Sequence, residues 1–75
     1  MPRVINGSAL REIRTLVGLS QRELGERCGV SHVAVGNLER GDSPAARPEL
    51  MRKLADALGV PLDAITIPLP EDVTA

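Results

Sequence analysis

Residues 20–41, SQRELGERCGVSHVAVGNLERG, hold two full sets of helix start and stop signals with almost nothing between them. Ser20 can cap a helix through its hydroxyl, and Glu23 can reach back to the Ser20 amide, so Ser20-Gln21-Arg22-Glu23 is a capping box. Leu24 and Cys28 fall on one face, and Gly29 stops the helix where the backbone must turn left-handed at little cost. Val30 fills the corner. Ser31 then caps a second helix whose buried positions are Val35 and Leu38 and whose stop is Gly41. The rest of the chain must support this pair. Gly25 is the odd residue, because a glycine inside a helix costs up to about 1 kcal/mol relative to alanine. A close crossing of the two helices near Gly25 accounts for it.

The flanks read as three further helices and no strand. The first runs from Ser8 as N-cap to Val17, stopped by Gly18, with Leu10, Ile13, Leu16 and Val17 as its apolar stripe. Gly41 to Arg47 is a loop rich in turn formers. Pro48 suits the first position of the next helix and Glu49 its positive end; that helix runs to Leu58, stops at Gly59, and turns Leu50 or Met51, Leu54, Ala55 and Leu58 inward. Residues 60–65 form a short fifth helix. The expectation is therefore an all-α, five-helix domain over residues 1–66, followed by an extended tail over 67–75 in which Pro68 and Pro70 allow at most an edge strand or arm.

Composition narrows the function classes. At 75 residues the chain is a single domain near the size at which stability is marginal. It has no Phe, Tyr or Trp, so its core is aliphatic and it lacks the stacking platforms that single-strand binding needs. One cysteine excludes an internal disulfide and a Cys-rich zinc site, and one histidine adds no metal cluster. Cys28 reads as a small core residue rather than a nucleophile. No cofactor and no reaction is expected. No apolar run has signal-peptide or membrane-span length, which points to the cytoplasm. The net charge is −1, but its distribution is uneven. All nine basic residues lie in residues 1–53 with six acids, a net +3, and the four remaining acids lie beyond. A +3 module is modest for a polyanion, and a dimer would double its contacts.

The chain resembles the Cro/phage-repressor (XRE-type) helix-turn-helix family of transcriptional regulators. The matching residues are Leu10, Ile13 and Arg14, then Leu19 to Leu24, Cys28-Gly29-Val30-Ser31, Val35, Leu38-Glu39-Arg40-Gly41, and Leu54 to Val60, together spanning roughly residues 8–66. Gly25, Gly36 and the connection from Asp42 to Pro48 depart from the usual pattern. The resemblance implies a lambda-repressor-like domain binding double-stranded DNA as a homodimer, more often a repressor than an activator. It also implies that Arg14 pairs with Glu39 and turns its remaining donors to a phosphate.

In such a module the helix over residues 31–40 enters the major groove, and the positions opposite Val35 and Leu38 are His32, Val33, Gly36, Asn37 and Arg40. His32 can donate to guanine and Val33 can pack on a thymine methyl. Asn37 either reads adenine or holds a phosphate, and bare Gly36 lets the backbone approach. Phosphate contacts fall to Gln21 and Ser31 at helix N-termini and to Arg14, Arg22, Arg40 and Arg47. Leu62, Ile65, Ile67 and Leu69 are the candidate dimer contact, set against an acidic, disordered end. Two other readings stay open: an antitoxin or other protein-interaction module that uses the tail on a protein partner, and the N-terminal domain of a longer regulator.

Overall fold

The computed structural model describes residues 3–41 and 47–68. The chain opens with a strand, β1 (Arg3–Ile5), and continues through four helices: α1 (Gly7–Val17), α2 (Gln21–Cys28), α3 (His32–Arg40) and α4 (Pro48–Leu58). A single 3-10 turn (Leu62–Ala64) leads into a second strand, β2 (Thr66–Pro68). The helices enclose one aliphatic core in which Leu10, Leu24, Val35, Leu54 and Ile65 are fully buried. Met51, not Leu50, is the buried residue of the first turns of α4.

The expected fifth helix is reduced to that one 3-10 turn, because the chain must straighten at Thr66 to pair with β1. The two strands run antiparallel, with Arg3 opposite Pro68, Val4 opposite Ile67 and Ile5 opposite Thr66. The Asn6 amide continues the pairing by donating to the Ile65 carbonyl at 2.8 Å. The Thr66 hydroxyl donates to the Leu62 carbonyl at 2.8 Å and accepts from Arg3 Nε at 2.8 Å, and Arg3 also pairs with Asp63. Residues 3–5 and 66–68 are thus tied together over the turn. Strands of three residues are too short to show a period of two, which is why sequence patterning gives no sign of them. Each strand of a two-stranded ribbon keeps an unpaired edge, and this is where Pro68 is tolerated.

Three expectations about side chains need correction. The cap of α1 is Asn6, whose Oδ1 accepts from the Ala9 amide at 3.2 Å, so Gly7 and Ser8 lie inside the helix. Leu16 and Val17 do not join the core: Leu16 is 79% exposed. The inward positions of α1 are Leu10, Ile13 and the partly buried Arg14, and Leu19, folded back beyond left-handed Gly18, takes the place the apolar stripe assigned to Val17. Ile65 is wholly inside its own chain's core and has no surface to offer a partner; Leu62 is half-buried, Ile67 is exposed, and Leu69 lies outside the described residues.

A very close approach between α1 and α3 is made by a residue that sequence patterning passes over. A Cβ placed on Gly7 would lie 2.5 Å from the Glu39 carbonyl oxygen and 2.6 Å from that of Leu38. The N-terminal turn of α1 therefore rests directly on the C-terminal carbonyls of α3, positive end against negative end. A side chain there must push backbone aside. We expect Gly7→Ala to destabilise the fold by about 1–3 kcal/mol despite alanine's better helix propensity. Urea unfolding tests this, and a midpoint equal to or above wild type would contradict the contact.

The capping box of α2 makes a pH prediction. Its hydrogen bonds from the Ser20 backbone and side chain hold the Glu23 carboxyl below its ordinary pKa. A depressed folded pKa contributes stability above the unfolded value and loses it as pH falls through the folded one. The stability difference between wild type and Glu23→Gln, measured by thermal melting, should therefore be present at neutral pH and shrink as pH drops below about 4. A difference independent of pH would contradict it.

Candidate nucleic-acid interface

The geometry of the two central helices follows from their caps. The Ser20 hydroxyl accepts from the Glu23 amide at 3.0 Å while a Glu23 carboxylate oxygen accepts from the Ser20 amide at 2.9 Å, closing both halves of the box. The Ser31 hydroxyl accepts from the Ala34 amide at 3.1 Å and keeps its own proton to donate outward. Between the helices, Gly25 meets the turn itself rather than the body of α3: a Cβ there would lie 2.6 Å from the Val30 carbonyl oxygen. The tight corner thus explains the glycine in α2. It presents the start of α3 to solvent, with His32 exposed and Val33 56% exposed.

Behind α3 lies a buried polar network. The Glu39 side chain is only 3% exposed and Arg14 only 13%. Arg14 Nε and Nη2 donate to the two oxygens of Glu39, Arg14 Nη1 donates to the Leu19 carbonyl at 2.7 Å, and Gln21 Nε2 donates to Glu39 Oε1 at 3.0 Å. Desolvating a carboxylate is costly unless an opposite charge and hydrogen bonds compensate, and here both do. The network joins α1, α2 and α3 and fixes Gln21 at the N-terminus of α2. One donor that the resemblance assigned to a phosphate is instead spent on Leu19, in the bend between α1 and α2.

The network forms the floor of an opening of ≈ 280 Å³ lined by Arg11, Arg14, Gln21, Gly36, Glu39 and Arg40. Three guanidinium groups stand against one carboxylate there, so the opening suits an anion. Arg11 was not singled out from the sequence, yet it sits three residues before Arg14 on the same face of α1, which is the signal that could have found it. Gly36 is not the bare, exposed position expected. It is buried, because Arg40 and Gln21 fold over it: a Cβ on Gly36 would lie 3.4 Å from Arg40 Nη1 and 3.6 Å from both ends of the Gln21 carboxamide. Arg40 Nη2 also donates to Asn37 Oδ1.

Other candidates lie elsewhere. Arg22 is exposed on α2 but does not line this opening. Arg47 lines a different groove, of ≈ 440 Å³, beside Ala34, Asn37, Leu38, Leu50 and Lys53. Cys28 borders that groove, and burial raises its thiol pKa, the opposite of what an active nucleophile needs. Among the described residues no group of three His, Cys, Asp or Glu could hold a metal ion, and no helix is long and apolar enough to cross a membrane.

Comparison with known proteins agrees with this geometry. The helix-turn-helix family profile matches residues 10–65. Among solved structures, the restriction-modification controller protein C.AhdI from Aeromonas hydrophila is 38% identical with a TM-score of 0.71, covering 77% of this chain and 86% of that one. The P22 c2 repressor, solved with a synthetic operator, is 32% identical with a TM-score of 0.71, covering 76% and 85%. The clp gene regulator ClgR from Corynebacterium glutamicum is 37% identical with a TM-score of 0.72, covering 77% and 62%. Hydroxypropylphosphonic acid epoxidase from S. wedmorenis is 22% identical with a TM-score of 0.76 over 85% of this chain but only 34% of its own, a likeness of fold alone. The comparison with curated proteins found no match. The chain belongs to the XRE-type helix-turn-helix family of DNA-binding transcriptional regulators.

Proposed function

We propose that the protein is a dimeric, cytoplasmic repressor that reads an inverted-repeat operator, placing α3 of each protomer in the major groove of one half-site. The observation that carries this reading is the pairing of exposed His32 and Val33 at the start of α3 with the three-arginine opening beside it. One supplies contacts to base edges and the other holds the backbone that flanks them. His32 donates to guanine, and Val33 covers a thymine methyl. Arg11, Arg40 and the Gln21 carboxamide hold one phosphate, with the amides at the start of α2 adding their positive end. Ser31 and Arg22 serve neighbouring phosphates, and Arg47 lies on the far side of α3. Exposed Ile67 and half-buried Leu62, with Leu69 beyond, supply the dimer contact. The P22 c2 repressor, seen with a synthetic operator, supports the mode of binding.

Selection of bound sequences from a random duplex pool at about 0.15 M salt tests this, and a two-fold symmetric motif with half-site centres about 10 bp apart is expected. Failure to enrich any motif would contradict it. On the selected duplex, His32→Ala should lose roughly 1–3 kcal/mol of discrimination at one base pair; unchanged preference in competition would remove His32 from the reading set. Arg40→Ala should weaken all duplexes alike and reduce the salt slope by about one unit. An unaltered slope would show that Arg40 touches no phosphate.

A further inference from the structure

Asn37 occupies the second turn of α3, one turn beyond the His32–Val33 tip, where an asparagine invites assignment as an adenine reader. Reading adenine in the major groove uses both ends of the carboxamide, Oδ1 accepting from N6 and Nδ2 donating to N7. Here Oδ1 accepts from Arg40 Nη2, which commits one of its two lone pairs within α3. The side chain is half-buried, and with Ala34 and Leu38 it lines the groove on the flank of α3 that borders α4. One residue before it, in the neighbouring three-arginine opening, Gly36 offers no side chain, and the space is taken by Arg40 Nη1 and the Gln21 carboxamide, each within 3.6 Å of where a Cβ would stand. Arg40 therefore lies over Gly36 beside the Gln21 carboxamide, with Asn37 accepting from its guanidinium. The Gln21 carboxamide is itself tied to buried Glu39 at 3.0 Å.

We infer that Asn37 is a positioning residue: by accepting from Arg40 it holds the guanidinium down over Gly36 beside Gln21, and it reads no base. The inference rests on the DNA-binding reading above and assigns work within that site. A long arginine side chain at a helix end samples many rotamers, and fixing it before DNA arrives lowers the entropy lost on binding. Gly36 is the complementary device, since a bulky residue there would lift the guanidinium off α3. The consequence is that Asn37 acts on every duplex to the same degree, because a phosphate carries no sequence.

The test is a double-mutant cycle with Asn37→Ala, Arg40→Ala and the pair, each titrated with the duplex selected from the random pool, with its single-base variants under α3, and with a scrambled duplex of equal length. Asn37→Ala should weaken every duplex by the same factor, roughly threefold to tenfold, with base preference unchanged. In the Arg40→Ala background the same substitution should change binding by less than about twofold. Asn37→Ser, which keeps a shorter acceptor, guards against misfolding of the alanine variant and should fall between wild type and Asn37→Ala. Relaxed preference at one base pair, persisting without Arg40, would make Asn37 a base reader and overturn the inference. Wild-type protein that binds selected and scrambled duplexes equally would overturn the DNA-reading assignment itself, an outcome visible before any variant is compared.

Discussion

The buried pairing of Arg14 with Glu39 is the interaction on which the rest of the structure depends. A domain whose core lacks aromatic rings and is mostly aliphatic has many ways to pack α1 against α2 and α3, since leucine, isoleucine and valine specify orientation weakly. A carboxylate 3% exposed demands an opposite charge and donors at both oxygens, a far stricter condition on orientation than aliphatic contact. Arg14 supplies the charge, Gln21 a further donor, and the Leu19 carbonyl takes another guanidinium proton. Whatever the pair contributes to net stability, losing one partner would strand the other, a cost of about 3–5 kcal/mol in comparable cases. The network thus favours one packing of α1, α2 and α3, and that packing sets the three-arginine opening.

Glycines complete what the network begins, through absence rather than contact. Gly7 lets the start of α1 rest on the last carbonyls of α3, and Gly25 lets the turn before α3 press against α2. Both sites meet backbone, which cannot rotate out of the way. At Gly36 the neighbours are the ends of flexible side chains, so the space serves the site rather than the fold. Three glycines within helices therefore have three different reasons, and only the atoms facing each of them reveal which.

Most of the helical scaffold was legible because its signals are local. The Ser20–Glu23 box, the Ser31 cap, Pro48 at the start of α4, and Gly18, Gly29, Gly41 and Gly59 at helix ends all act within a few residues. What escaped the sequence depends on contacts between distant segments. The β1–β2 ribbon joins residues more than sixty apart through strands too short for periodicity to register. The shift of the α1 stripe from Val17 to Leu19 follows from where the chain turns after Gly18, and the burial of Ile65 follows from the ribbon drawing the last turn inward. Within the candidate site, helical phase together with the family resemblance places His32 and Val33, and both are exposed. Arg11 carries a local signal in its place three residues before Arg14, whereas the burial of Gly36 beneath Arg40 and the Gln21 carboxamide needs α2 and α3 to be brought together in space.

The start of α3 and the opening beside it form one face, which we propose meets DNA as a single unit. Its most direct test is a titration of ¹⁵N-labelled protein with the duplex selected from a random pool, followed by amide and arginine side-chain resonances. The largest shifts are expected at Arg11, Gln21, Ser31, His32, Val33, Gly36 and the Arg40 guanidinium, with Leu54 to Leu58 of α4 nearly unmoved. Shifts concentrated on α4 or on the β1–β2 ribbon, with the start of α3 silent, would contradict it.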